Sequence, residues 1–343
     1  MSEPVDDPTH DQTHDQIHDD EADTCERVVR SLLAEQCPQW ADSKLTSLSS
    51  TGTSNALWRL HLEPGQPDCI VRLPRTPSAE PDIVNETQLL PVLATKGFTH
   101  ASSQGQTGPP SVVQVPEVLH RGRPSDAFAM RWLALGWIDG QDAWSSRHSI
   151  ARAPADLAVD LAQAIQSISS LEIDSAHAPI PDRAPGNRGG PLRPLLEQLD
   201  RWLGDPHWSA DQLIDTEAVR RSADQSSEVV DEPVTIGFVH GDLLPGNILV
   251  KANRLQAIID WGGAGRGDLA QDLTPAWAIF DHSGRDVLRR ELGVDDATWL
   301  RGRAFELEHA VGAVLYYKPR NHPLAEVQMR TLERILSDSM ASS

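Results

Sequence analysis

The chain has 343 residues, enough length to bury a core larger than that of one typical domain. Its 50 Asp and Glu against 30 Lys and Arg give a formal net charge of −20, which excludes nucleic acid as an expected partner, because that binding rests on cationic contacts to phosphate. No apolar run reaches the roughly 18 residues of a membrane span, the N-terminus lacks a basic and apolar leader pattern, and Cys25, Cys37 and Cys69 read as reduced thiols without ligand spacing; the expectation is a cytoplasmic protein with no membrane contact.

Residues 1–26 hold ten acids and no Lys or Arg, so about half of the charge excess sits there and about −10 remains on the rest. Low apolar content and the repeat around His10, His14 and His18 predict a disordered, solvated acidic tail over residues 1–24. A short helix is expected at Val28–Leu33, then strands at Leu45–Leu48, Ala56–Leu62 and Cys69–Leu73, with Pro64-Gly65 and Pro67 as punctuation. Between the first two strands runs Ser49-Ser50-Thr51-Gly52-Thr53-Ser54-Asn55, a turn able to present backbone N–H and hydroxyl donors to phosphates without bulky side chains in the way. A helical stretch, Ile83–Leu90, should kink or end at Pro91. Residues 97–114 read as a polar Gly/Pro loop, followed by strands at Val115–Leu119 and Ala127–Trp132.

The rest is mostly helical in pattern. Leu157, Leu161, Ala164, Ile165, Ile168 and Leu171 recur at helical steps, a long loop with Arg188-Gly189-Gly190-Pro191 follows, and further helices are expected from Leu300 to about Leu336. The most informative segment lies between them: Phe238-Val239-His240-Gly241-Asp242-Leu243-Leu244-Pro245-Gly246-Asn247-Ile248-Leu249-Val250, then Ile258-Ile259-Asp260-Trp261. Two apolar runs around the polar turn Lys251-Ala252-Asn253-Arg254 read as a β-hairpin, with Asn247 opening its first strand and Asp260 closing its second. Two oxygen ligands so juxtaposed suit Mg²⁺, which takes few protein ligands and leaves positions for phosphate oxygens. Asp242, one loop away, can then receive a proton from a substrate hydroxyl, which is the equipment of phosphoryl transfer.

The spacing matches the protein-kinase catalytic loop, an Asp, an Asn five residues on and a later metal-binding Asp. With Gly241 before the Asp, and Asp260-Trp261 for Asp-Phe-Gly, the segment resembles the aminoglycoside phosphotransferase family, protein-kinase-like enzymes that phosphorylate small molecules. The resemblance implies Asp242 as catalytic base, supported by His240, and Asn247 and Asp260 as Mg²⁺ ligands. It implies that Ser50, Thr51, Gly52, Thr53, Ser54 and Asn55 fold over the nucleotide phosphates. Arg72 stands where kinases carry a phosphate-holding Lys, with Glu86 as its partner; Val-Arg-Leu-Pro-Arg here is also similar to macrolide phosphotransferases. Met130, Arg131 and Trp132 fall at the hinge that receives the adenine. Gly267-Asp268-Leu269-Ala270-Gln271-Asp272-Leu273 resembles a further family segment, whose Asp272 is expected to accept backbone N–H bonds from the catalytic loop.

The reading is therefore an α+β, two-lobed, protein-kinase-like enzyme with a small β-rich N-lobe at 25–133 and a larger, mostly helical C-lobe at 134–343. It would move the γ-phosphate of ATP or GTP to a hydroxyl of a small molecule, with an aminoglycoside-type antibiotic as the expected acceptor. Macrolide, choline, homoserine or sugar-like acceptors are the alternative, and a nucleotide-binding pseudokinase is the non-enzymatic one. A polycationic acceptor needs carboxylates around its hydroxyl, for which Asp139, Asp142, Glu306 and Glu308 are the candidates, although a solvated helix face is the plainer reading of Glu306 and Glu308.

Overall fold

Residues 17–48, 52–100, 111–173, 180–183 and 187–341 are described in the computed structural model of this protein. They fall into two compact units, Met1–Thr87 with Pro116–Trp137, and Gln88–Val115 with Ile138–Ser343. The division departs from a single cut at residue 133. Its reason lies in residues 88–115, where the Gln114 N–H donates to Gln256 O (3.0 Å) and Gln114 O accepts from the Ile258 N–H (3.1 Å).

The first elements are α1 (Glu26–Gln36), β1 (Lys44–Leu48), β2 (Asn55–His61), β3 (Cys69–Pro74), α2 (Glu80–Lys96), β4 (Phe98–His100), β5 (Ser111–Val113), β6 (Val118–Gly122) and β7 (Trp132–Gly136). In the first unit an antiparallel sheet runs β1-β2-β3-β7-β6. Along β2 the side chains Ala56, Trp58 and Leu60 are buried on one face, as period-2 alternation requires. Trp58 and Leu60 share a core with Val71 and Leu73 of β3, Trp132 of β7 and Val28, Val29, Leu32 and Leu33 of α1. β6 and β7 begin later than the expected strands at 115 and 127. Pro116 has no N–H to give a ladder, and Ser125 and Phe128 close a turn on each other (2.9 and 3.2 Å), so pairing starts beyond them.

The acidic tail expected to reach residue 24 is bound from Ile17 onward. Ile17 is buried, the Ala22 N–H donates to Arg75 O (2.7 Å), Glu21 pairs with Arg75 (3.0 Å), and Trp58 Nε1 donates to Thr24 O (3.1 Å). Charge density predicted solvation, but the segment carries an apolar residue and one carboxylate aimed at a buried Arg. Residues 1–16, with His10 and His14, lie outside the described residues. Pro91 neither ends nor replaces α2, which continues to Lys96, because Leu89, Leu90 and Leu93 around it are buried. The segment read as a loop over 97–114 carries β4 and β5, paired antiparallel from Phe98↔Val113 to His100↔Ser111.

The second unit continues with β8 (Gln141–Asp142), α3 (Arg147–Arg152), α4 (Ala155–Ser169), α5 (Leu192–Gly204), α6 (Ala210–Leu213), α7 (Thr216–Ser227) and β9 (Ile236–Val239). It then has β10 (Ile248–Lys251), β11 (Arg254–Ile258), β12 (Gly265–Asp268), α8 (Pro275–Ala278), α9 (His282–Leu292), α10 (Asp296–Tyr317) and α11 (Leu324–Ala341). β10 and β11 form the expected hairpin; Ala252 and Asn253 both have positive φ (51° and 60°), the mark of the tight two-residue turn that matches strand twist. β8 adds a third strand to β10, and β12 pairs with β9. α10 is buried from Arg301 to Leu315 on nearly every face, which is why it shows no one-sided apolar stripe. Among the described residues no helix is long and apolar enough to cross a membrane, and Cys25, Cys37 and Cys69 are buried thiols.

Candidate active site

β9 delivers the chain into His240-Gly241-Asp242. Gly241 has φ +80°, and a Cβ there would lie 2.7 Å from both Gly263 O and Arg183 Nη2, so only glycine fits the turn. The Asp272 carboxylate accepts from the His240 N–H (2.8 Å) and the Gly241 N–H (2.9 Å), the contact expected of it. Burial raises its pKa to about 6 against the pull of those two bonds. His240 is fully buried. Its Nδ1 accepts from the Asp242 N–H (3.2 Å), so Nε2 carries the proton and donates to Ile259 O (3.1 Å). Burial pushes its pKa down to about 4. The ring packs edge-on against Trp261 with centroids 4.6 Å apart. His240 is thus a neutral strut between the loop and the end of β11, with both nitrogens engaged.

Asp242 is held by its neighbours. Asn247 closes a 3₁₀ turn, Pro245–Asn247, and its Nδ2 donates to Asp242 O (2.9 Å) and Asp242 Oδ2 (3.0 Å). The Ile259 N–H donates to Asn247 O (3.0 Å), which fastens Asn247 beside the residue preceding Asp260. Asp260 has φ +62°, a conformation uncommon outside glycine that Asp and Asn tolerate best and that concentrates at functional sites. With the amide nitrogen of Asn247 engaged at Asp242, the amide oxygen of Asn247 and the carboxylate of Asp260 form a pair of hard donors. No group of three or more His, Cys, Asp and Glu able to hold a metal occurs among the described residues. A cation here would therefore be one satisfied by two protein oxygens, with water and phosphate completing its shell, which fits Mg²⁺.

In the first unit Arg72, on central strand β3, pairs with Glu86 of α2 at 2.5 Å, with side chains 6% and 0% exposed. Ser50 and Thr51 lie outside the described residues. Gly52 and Ser54 are exposed; Thr53 O accepts from His18 Nε2 (3.3 Å), and Ser54 O from the Arg75 N–H (2.9 Å). Asn55 is buried at the start of β2. Met130, Arg131 and Trp132 are corrected: they stand at the entry of β7, not at its exit. Trp132 pairs with Gly122, and Leu133 pairs with both Arg121 and Arg72, so that backbone belongs to the sheet. The continuous apolar run Trp132-Leu133-Ala134-Leu135 is a central strand buried on both faces, and the chain leaves it only after Gly136.

The four candidate acids do not form one exposed surface. Asp139 is exposed. Asp142 accepts from Ser145 N–H and Oγ (both 2.8 Å) and so closes the turn ahead of α3. Glu306 and Glu308 are 0% and 7% exposed, not on a solvated helix face, and burial raises their carboxyls to about 8 and about 7. Two residues without a recognised motif complete the neighbourhood. Arg188 Nη1 donates to Asp242 Oδ1, and its Nη2 donates to His309 Nε2 (2.9 Å); His309 Nδ1 faces Glu306 Oε2 at 3.6 Å. Nothing in the spacing of 188, 242 and 309 joins them. The one local signal is the Gly-Gly pair after Arg188, which marks a tight turn.

The family model described as the Phosphotransferase enzyme family matches residues 46–305. The aminoglycoside 3'-phosphotransferase of Niallia circulans is 26% identical over 182 residues, 50% of this chain and 61% of that protein; the match thus covers less than two thirds of that relative. The solved GDP complex of wild-type aminoglycoside 2'-phosphotransferase-IIIa matches with a TM-score of 0.64 at 19% identity, covering 90% of this chain and 98% of that one. The macrolide 2'-phosphotransferase of Brachybacterium faecium matches with a TM-score of 0.54 at 17% identity, covering 90% and 97%. At such identities the likeness is one of fold, and the fold is the two-lobed α+β arrangement expected from the sequence.

Proposed function

Because this chain belongs to the Phosphotransferase enzyme family, we propose that it moves the γ-phosphoryl group of ATP or GTP to a hydroxyl of a small molecule, an aminoglycoside-type antibiotic being the first acceptor to test. The observation that carries this reading is the fixing of Asp242 by Asn247, with Asn247 itself fastened beside Ile259-Asp260. Asp242 orients the acceptor hydroxyl and takes its proton as the new O–P bond forms. His240 and Asp272 hold the loop that carries it. Asn247 and Asp260 would hold Mg²⁺, which would neutralise phosphate charge. Arg72, steadied by Glu86, would grip the nucleotide phosphates through its planar fork. Gly52, Thr53 and Ser54 would cover those phosphates.

A second reading of the acceptor, a neutral hydroxylated molecule such as a macrolide or a sugar, is favoured by one observation. The group nearest to Asp242 is a guanidinium, and burial raises the Glu306 carboxyl to about 8 and that of Glu308 to about 7, so at neutral pH Glu306 is mostly protonated and Glu308 only partly ionised. Turnover of ATP and GTP with aminoglycosides, macrolides and neutral sugars at two ionic strengths separates the two. A cationic acceptor drawn by the acidic chain shows a KM that rises with salt, since surface fields are screened over about 10 Å at 0.1 M. Turnover confined to neutral acceptors selects the second reading, and no turnover with any acceptor overturns both.

A further inference from the structure

We infer that Arg188 is a catalytic residue of this chain, the cation that neutralises the transferring phosphoryl group, and that His309 of α10 is the residue that positions it. The inference rests on the phosphotransfer reading above. It starts from a gap in the His240–Asn247 loop, whose sequence His-Gly-Asp-Leu-Leu-Pro-Gly-Asn contains no Lys or Arg. A carboxylate base and the oxygens of an incoming phosphoryl group repel each other unless a cation lies between them. Arg188, arriving from a distant part of the chain, puts one there.

Its geometry is built, not incidental. Asn187–Gly190 forms a tight turn in which the Gly190 N–H donates to Asn187 O (2.9 Å). Gly189 adopts φ +74°, and its carbonyl accepts from the Asp268 N–H of β12 (2.8 Å). The backbones come so close that a Cβ on Gly267 would lie 2.6 Å from Gly189 O. Asp268 is in turn paired with buried Arg301 of α10 at 3.0 Å. The turn that carries Arg188 is therefore fastened to the same strand pair that delivers Asp242.

The guanidinium donates to Asp242 Oδ1 and His309 Nε2. An arginine nitrogen only donates, so His309 Nε2 accepts and its proton sits on Nδ1, facing Glu306. Burial and the neighbouring Arg188 keep His309 well below its usual pKa, which preserves the neutral acceptor. The Arg188 and Asp242 side chains are 38% and 25% exposed, so a ligand can reach the pair. Arg183, another arginine beside the loop, bears on buried His240 and Asp272.

An attacking hydroxyl within about 3 Å of the base lies about 3–3.5 Å from the phosphorus it attacks. A guanidinium touching that base is within reach of the phosphoryl oxygens. In the step itself the acceptor oxygen bonds to phosphorus, and the bond from phosphorus to the nucleoside diphosphate breaks with its electron pair leaving on the diphosphate. The acceptor proton passes to Asp242. Arg188 keeps its proton and contributes charge and hydrogen bonds, as an arginine supplied in cis does in other phosphoryl-transfer enzymes.

The test is steady-state turnover of Mg²⁺–ATP and Mg²⁺–GTP with an aminoglycoside, a macrolide and water as acceptors. It compares the wild type with Arg188→Gln, Arg188→Lys, His309→Phe and His309→Gln, with thermal melts and nucleotide titrations on every variant. Arg188→Gln is expected to lower kcat by roughly 10²–10³-fold, the range for removing one charge-stabilising donor, with the nucleotide KM nearly unchanged. Arg188→Lys, which folds around a point charge, should recover only part of the rate. His309→Phe should lower kcat by about tenfold, and His309→Gln, whose amide oxygen still accepts from Arg188, should restore most of it. Wild-type kcat in Arg188→Gln, or a faster rate that would make Arg188 a brake on the base, overturns the inference while leaving the phosphotransfer reading intact. A wild-type chain that turns over no nucleotide overturns both.

Discussion

Two Arg–carboxylate pairs, one in each unit, have the same chemistry and opposite settings. Arg72–Glu86 is sealed, with side chains 6% and 0% exposed, between a central strand and α2. Arg188–Asp242 is open, with 38% and 25% exposed, at the end of a turn. Sealing makes a pair part of the architecture, because neither charge can be left alone in a low dielectric. Openness makes the second pair cheap to part and available to a ligand, because water already screens it. Loss of one partner should therefore cost the sealed pair more stability than the open one.

The comparison breaks if the two pairs respond alike. Glu86→Gln leaves Arg72 buried without its counter-charge and should lower stability by about 3–5 kcal/mol, read as a fall in the denaturant midpoint. Arg188→Gln should change stability by no more than about 1 kcal/mol, so equal losses in the two variants would contradict the distinction. Truncation offers an intermediate case. Removing residues 1–23 takes Glu21 away from Arg75, whose side chain is 6% exposed, and should lower Tm clearly, whereas removing residues 1–16 keeps that pair and should not; equal melts of the two truncations would refute the docking of residues 17–24.

The smallest expected effect sharpens the view of the neighbourhood of Arg188. Burial raises the Glu306 carboxyl to about 8 from 4.5, so between those values the folded chain holds a proton that the unfolded chain has released. The stability tied to this group is complete below pH 4.5 and is lost as the pH climbs through 8. Glu306→Gln removes the titration. Relative to the wild type, its Tm should therefore improve from pH 5 to pH 8.5 by about 3 °C or more, a comparison to be repeated in a Glu308→Gln background because Glu308 is coupled to Glu306. A difference in Tm that does not change with pH would mean that Glu306 is ionised throughout.

The legible part of this molecule was the part specified by contiguous residues. The β10–β11 hairpin follows from alternation and turn chemistry, and the Asp272 bonds to the loop and the Arg72–Glu86 pair were implied by the resemblance of their segments to those of kinase-like enzymes. Met130, Arg131 and Trp132 were misplaced because a strand buried on both faces has no alternation to set its register, so its start was read five residues early. Glu306 and Glu308 looked solvated because α10 is covered on every side and offers no polar face to compare against. Arg188 and His309 were invisible for a different reason. Arg188 meets Asp242 and His309 only after the turn at 187–190 docks on β12, a long-range contact that leaves no period and no spacing in the sequence.

The claim at the centre of this account is that Asp242 acts as the base of a phosphoryl transfer, and Asp242→Ala tests it most directly. Turnover of Mg²⁺–nucleotide with the best acceptor of the panel should fall by roughly 10²–10⁴-fold in kcat, with nucleotide affinity by titration calorimetry essentially unchanged. Near-wild-type turnover in that variant would contradict the assignment of the site.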